Sequence, residues 1–149
     1  MSLETKVMEE LKTAMRAKDE AALRTLRAIK AAILIEKTSE GATDVIPEAT
    51  ELKMLQKMAK QRRDSLDIFE KQNREDLAAK EREELAIIER FLPKQMTGEE
   101  LETEVKAIID QVGAKTAADM GKVMGVASKQ LAGKADGKAI SETVKKLLA

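Results

Sequence analysis

The chain has 149 residues, 27 basic and 27 acidic side chains, no cysteine, no histidine and two aromatic residues, Phe69 and Phe91. This length suits one ordinary domain or two small ones, with a core that needs no disulfide or metal. The missing residue types exclude disulfides, thiolate or imidazole metal sites, cysteine nucleophiles and histidine bases, and they argue against aromatic platforms for single-stranded nucleic acid. We therefore expect no metal and no cofactor.

Charged residues make up 36% of a chain that is also rich in Ala and Leu, which is the composition of a soluble helical protein. No apolar run approaches the roughly 18 residues of a membrane span, and the acidic start does not have the layout of a signal peptide. We expect no membrane partner and a cytoplasmic location.

The charges are unevenly distributed along the chain. Residues 113–149 contain seven lysines against three acidic residues, a net charge of +4, and the preceding 112 residues carry −4. A basic C-terminal part on an acidic chain favours an anionic partner.

Two helices are predicted at the start of the chain, over residues 3–17 and 20–37, with Ser2 and Asp19 as N-caps. The predicted inward positions of the first are Leu3, Val7, Leu11, Ala14 and Met15. The second carries a broad apolar stripe formed by Leu23, Leu26, Ile29, Ile33 and Leu34, flanked by Ile35 and several alanines. So wide a stripe predicts a helix buried on much of its circumference.

A loop over residues 39–47 follows, because Gly41 and Pro47 interrupt the helical period. Helices are predicted over 47–72 and 74–91. Across this antiparallel pair, we expect Arg62 or Arg63 to meet Glu81 or Glu84. Paired carboxylates can perform acid–base chemistry, but an ion-pair network at the edge of the core is the more common role of such a group.

The sequence Leu92-Pro93 predicts a domain boundary, because proline ends the preceding helix. Capping-box patterns at Thr97 and Thr116, with Gly113 between them, predict helices over 98–112 and 117–132. Asp136 begins a last helix over 137–148. The prediction is an all-α protein with a larger N-terminal four-helix domain at 1–92 and a small C-terminal three-helix bundle at 93–149.

The C-terminal lysines recur at helical spacing. Lys122 and Lys129 are seven residues apart, as are Lys138 and Lys145, so each pair lies on one side of its helix. With Lys115 ahead of the sixth helix and Lys134 in the following turn, these lysines predict a phosphate-binding patch. A solvated helix face is the alternative.

Gly121 and Gly125 lie inside the sixth helix, where each glycine costs up to about 1 kcal/mol relative to alanine. Either close packing of another helix or close approach of a nucleic-acid backbone would explain them. Methionines at i, i+4 spacing, at 54 and 58 and at 120 and 124, favour core filling over a promiscuous binding groove.

Five motifs, in this order, resemble the YqeY-like family over essentially the whole chain: Leu26-Arg-Ala-Ile-Lys-Ala-Ala-Ile33, Lys60-Gln-Arg-Arg-Asp-Ser65, Arg74-Glu-Asp-Leu-Ala-Ala-Lys-Glu81, Phe91-Leu-Pro-Lys-Gln95 and Asp119-Met-Gly-Lys-Val-Met-Gly125. The family is similar to the C-terminal tail of the B subunit (GatB) of tRNA-dependent amidotransferases, a tail that is associated with tRNA. The resemblance implies a larger helical domain followed by a three-helix domain, and tRNA as the anion on the lysine face.

The family carries an amidotransferase-like label, that of a carbon–nitrogen ligase using glutamine as amide donor. This chain has no glycine-rich phosphate loop and no serine–lysine amidase constellation, so we expect no catalytic residue and no activity of the chain alone. The sequence is compatible with three functions. The first is a tRNA-binding accessory protein. The alternatives are a helical protein–protein interaction module with no nucleic-acid role, which would bind an amidotransferase or aminoacyl-tRNA synthetase component, and a free-standing amidotransferase.

Overall fold

The computed structural model describes residues 2–39 and 44–149, and every regular element within them is helical, which confirms the all-α prediction. The seven α-helices are α1 Leu3–Ala17, α2 Glu20–Thr38, α3 Glu48–Lys71, α4 Glu75–Glu89, α5 Gly98–Val112, α6 Met120–Gln130 and α7 Gly137–Leu148. Residues 40–43 of the predicted loop, including Gly41, lie outside the described part. None of the described helices combines the length and apolarity needed to cross a membrane.

Contacts divide the chain into two compact units, Met1–Leu92 and Pro93–Ala149. In the first unit, α1 packs on α2, and α4 packs on both α2 and α3. Its core is centred on fully buried side chains of all four helices, among them Val7, Leu26, Ile29, Leu55 and Ile88. Met54 and Met58 are buried in the same core, as expected for core filling.

The ends of α1 and α2 are fixed by the predicted caps. The Ser2 hydroxyl accepts a hydrogen bond from the Thr5 amide at 3.2 Å, and the Asp19 carboxylate accepts one from the Ala22 amide at 3.0 Å. Each satisfies an amide that the helix leaves without an internal partner.

The apolar stripe of α2 is narrower in the structure than in the prediction. Leu34 and Ile35 are 61% and 67% exposed, and Met15 of α1 is 60% exposed, so the predicted inward position of Leu34 and Met15 is wrong. Successive helical residues are about 100° apart, and the core of the unit takes the side of α2 that carries Ile29 and Ile33. Nothing in the described part of the unit covers the opposite side.

The ion pairs between α3 and α4 follow a different register from the predicted one. Arg82 of α4 pairs with Glu70 of α3. Arg63 pairs with Glu89 at 3.5 Å, seven residues later on α4 and seven residues earlier on α3, as in an antiparallel pair. Glu84 instead binds Arg24 of α2 at 3.4 Å, because α2 packs on α4 as well. Arg62 forms no ion pair among the described residues and acts on Glu81 only through its field.

In the second unit, α5, α6 and α7 surround a separate core whose buried members include Leu101, Val105, Ile108, Val123 and Val144. The Thr97 hydroxyl caps α5 by accepting from the Glu100 amide, and Gly113 ends it with a positive φ of 70°. The predicted sixth helix is shorter than expected: a 3-10 turn, Ala117–Asp119, precedes α6, which ends at Gln130.

The segment before α5 is fixed to the turn between α6 and α7. The Gln95 side-chain amide donates to the Gly133 carbonyl at 2.7 Å and to the Pro93 carbonyl at 3.0 Å. The Met96 amide donates to the Lys134 carbonyl at 2.9 Å. These three bonds hold the segment before α5 to the rest of the unit, and the sequence pattern did not predict this role for Gln95.

Candidate nucleic-acid interface

One side of α6 is directed away from the core of the second unit. We call it the α6 face, and it consists of Gly121, Lys122, Gly125 and Lys129. At about 100° per residue these four positions fall within one third of the helix circumference, opposite the fully buried Val123 and Ala127. All four are exposed, so the structure brings both lysines and both glycines of the prediction onto a single free surface.

The two glycines have no packing partner that requires them. A Cβ atom added to Gly121 or Gly125 would find nothing within 4 Å. Close helix packing inside the unit therefore does not explain these residues. They leave a smooth strip of exposed backbone beside Lys122 and Lys129. Because α6 has only 11 residues, two glycines lower its helix stability substantially.

Lys115 and the start of α6 are organised by Asp119. Its carboxylate accepts hydrogen bonds from the amides of Lys115, at 2.9 Å, and Thr116, at 3.3 Å. These two bonds, aided by the charge of Lys122, lower the pKa of the Asp119 carboxyl below its ordinary value. Asp119 thus stays ionised at neutral pH while holding the turn that carries the exposed Lys115.

The lysines of α7 also face solvent, opposite the buried Ile140 and Val144. Lys138 and Lys145 lie on one side of the helix, but the exposed Glu142 stands between them on that side, so the row is not uniformly basic. Lys134 is exposed in the turn that precedes α7. The spacing of Glu142, four residues after Lys138, already places it on the lysine side of the helix. The predicted patch did not include this acidic residue.

Most of these lysines form no close ion pair. Among the described residues, the lysines at positions 115, 122, 129, 134, 138 and 145 form no ion pair within 4.0 Å. Two other lysines of the unit, Lys106 and Lys146, both bind Glu102 of α5, at 3.6 and 3.5 Å. Lys94, exposed in the segment before α5, also forms no ion pair among the described residues, so six of the seven free cations of the unit lie on and around α6 and α7.

Charge in the second unit is separated by element. Five of its eight acidic residues lie on α5, and it contains no arginine. The positive field is thus local to the surfaces of α6 and α7 and does not reflect the net charge of the unit. Lysines on a smooth surface can bind phosphates as point charges, without the fixed fork that guanidinium groups offer to base edges. No cluster of carboxylates suited to a metal ion occurs in the described residues.

The sequence of the chain matches a known family over almost its whole length. The sequence profile of the family described as Yqey-like protein matches residues 4–148. The chain belongs to this family. The match spans both units and includes the α6 face.

Two relatives are both named "Altered inheritance of mitochondria protein 41, mitochondrial". The protein from Pyrenophora tritici-repentis is 30% identical over 148 residues, which cover 96% of this chain and 79% of the relative. The protein from Vanderwaltozyma polyspora is 32% identical over 109 residues, or 72% of this chain and 58% of the relative. The alignment thus spans less than two thirds of the second relative, and neither name mentions RNA or an amide-forming reaction.

Proposed function

We propose that this Yqey-like protein is an accessory factor that binds tRNA through its C-terminal unit. The observation that carries the proposal is the pair of exposed glycines in α6. Gly121 and Gly125 have no packing role within the unit, yet they lie beside two lysines with free charges. Solvation of a helix face would explain the lysines but not the glycines. Close approach of a sugar–phosphate backbone would explain both, because lysines attract the phosphates and glycines leave space for the backbone.

Binding is expected to depend on phosphate contacts and on the shape of the RNA. Lys122 and Lys129 are separated by about 10 Å along the helix, at 1.5 Å per residue, and both point away from the core. Lys134 and the lysines of α7 extend the same positive surface in the proposal. Without arginine or aromatic side chains in this unit, base reading is not expected, so affinity should vary little with sequence.

The test is charge reversal on the proposed surface. Lys122→Glu, Lys129→Glu and Lys138→Glu together are expected to abolish measurable binding of bulk tRNA at low salt. The matched control reverses Lys12, Lys53 and Lys57, exposed lysines of the first unit that form no ion pair among the described residues. Both variants change the net charge equally, so an equal loss of tRNA binding in both would contradict a defined surface.

We further propose that the chain acts without catalysing amide formation. The C-terminal unit offers phosphate-binding charge but no nucleophile paired with a base, and the carboxylates Glu83 and Glu84 of the first unit are bound to Arg24. The purified chain, given glutamine and misacylated Glu-tRNA(Gln), is expected to form no amide. Glutamine-dependent conversion by the chain alone would contradict this. A cytoplasmic location stays a prediction.

A further inference from the structure

Within residues 2–39 and 44–92, no neighbouring element covers one side of α2. We call it the α2 face, and it consists of Arg27, Lys30, Ala31, Leu34 and Ile35, all exposed. Leu34 and Ile35 are 61% and 67% exposed, whereas Ile33 between Ala32 and Leu34 is 3% exposed and faces the core. Two large apolar side chains next to each other in solvent are unusual in a unit that buries the rest of the α2 stripe.

The α2 face borders a shallow depression. Its volume is about 320 Å³, and most of the surface that lines it is apolar, contributed in part by Ala31, Leu34 and the edge of Ile33. Four charged residues complete the lining, and we call them its rim: Arg27, Lys30, Lys37 and Glu4. Arg27, Ala31 and Leu34 follow one another at four and three residues, so the face is a straight strip along the helix axis.

The charge on the rim is positive and largely uncompensated. Lys37 pairs with Glu4, but Arg27 and Lys30 form no ion pair within 4.0 Å among the described residues. Arg24, one turn earlier on α2, contrasts with them because it binds both Glu83 and Glu84 of α4. An apolar strip flanked by free cations is complementary to an apolar strip flanked by carboxylates.

We propose that the α2 face docks an acidic amphipathic helix of another protein. A helix fits because apolar anchors on the partner at i, i+3 and i+7 would follow the same straight strip. Aspartate or glutamate beside those anchors would meet Arg27 and Lys30. A second copy of this chain fits less well, because pairing two α2 faces would bring their uncompensated cations together. The proposal is independent of tRNA binding, which is assigned to the other unit.

The test uses a synthetic helical peptide with leucines at i, i+3, i+4 and i+7 flanked by glutamates, titrated into the ¹⁵N-labelled full chain. Backbone amide shifts are expected on α2, centred on residues 27–38. A peptide of the same pattern with lysines in place of glutamates is expected not to bind. Leu34→Asp is expected to weaken binding of the acidic peptide by about tenfold or more, because the complex loses the apolar contact that Leu34 would make with the leucines of the peptide.

Ile68→Asp is the matched control, since Ile68 is 52% exposed on α3, outside the α2 face. Because both sites are exposed, circular dichroism should show both variants folded, and tRNA binding by Leu34→Asp should be unchanged. The proposal is overturned if the shifts appear elsewhere, if the lysine peptide binds equally well, or if Ile68→Asp causes the same loss. Sedimentation that reveals a Leu34-dependent dimer would assign the face to a second copy and overturn it as well.

Discussion

At the scale of single residues, the two glycines of α6 are not explained by the stability of the fold. Alanine would stabilise a helix more than glycine does at an exposed interior position. Both Gly121 and Gly125 have room for such a side chain, because an added Cβ atom would meet nothing within 4 Å. The conflict between local helix stability and the residue present is the kind that functional surfaces produce.

Gly121→Ala with Gly125→Ala is expected to leave the fold intact and to raise the free energy of unfolding, by up to about 1 kcal/mol per site. The same variant is expected to bind tRNA more weakly, by on the order of three- to tenfold, since the added methyl groups keep the RNA backbone at a distance. Thermal unfolding and a tRNA titration measure the two effects.

Gly98→Ala on α5 is the control for this variant, because its added Cβ also meets nothing within 4 Å. Unchanged tRNA binding by the α6 double variant would leave the glycines without a functional explanation.

Glu81 provides a pH-dependent prediction for the first unit. Burial, with repulsion from Glu84, raises the pKa of the Glu81 carboxyl, and this outweighs the opposing fields of Arg62 and Arg24. A raised folded pKa means that the protonated form fits the fold better, so this contribution to stability is present below about pH 4 and is lost as pH rises through the folded pKa. Glu81→Gln should therefore raise the free energy of unfolding at neutral pH and give little change in acid.

Denaturant unfolding at several pH values measures this difference, with Glu9→Gln on the exposed side of α1 as control. A destabilised Glu81→Gln protein at neutral pH would show that the carboxylate is needed in its charged form, as an acid–base or tightly paired group would be.

At the scale of elements, the residues at which helices begin are easier to predict from the sequence than the register in which helices pack. Ser2, Asp19, Thr97 and Asp136 were predicted as caps, and each accepts an amide hydrogen bond three residues on. The register of α3 on α4, by contrast, depends on which side of each helix the whole unit buries. The pairs Arg63–Glu89 and Arg24–Glu84 were therefore not predictable from spacing within single helices.

The exposure of Leu34 and Ile35 was missed for a related reason. A broad apolar stripe indicates how much of a helix can be buried, but the number of neighbouring helices decides how much is buried. In the candidate site, spacing alone placed Lys122 with Lys129, whereas the open space around the glycines required the three-dimensional arrangement.

Gln95 supports the second unit from outside its helices. Gln95→Ala removes two side-chain hydrogen bonds and leaves the carbonyl of the buried Gly133 without that donor. We expect a loss of about 1–3 kcal/mol in the stability of the second unit, seen as faster amide hydrogen exchange in residues 93–149 of the full chain.

Gln130→Ala, at an exposed position of α6, is the matched control and should change exchange little. Equal exchange in both variants would mean that Gln95 does not hold the segment before α5 to the turn.

At the scale of the whole molecule, net neutrality hides three distinct surfaces. The α5 helix is acidic, the surfaces of α6 and α7 are basic, and α2 carries apolar side chains between free cations. These surfaces belong to two units with separate cores, so each can be altered without disturbing the fold of the other. That separation makes tRNA binding and partner docking testable in the same full-length chain.

The salt dependence of tRNA binding measures how many phosphates the lysines of α6 contact. Each phosphate contact contributes about 0.7–0.9 to the negative slope of log affinity against log salt concentration. Single replacements Lys122→Gln and Lys129→Gln should each reduce the magnitude of the slope by about 1, while Lys53→Gln leaves it unchanged. No tRNA binding by the unmodified chain at low salt, or slopes that are the same in all variants, would contradict a phosphate-binding surface on α6.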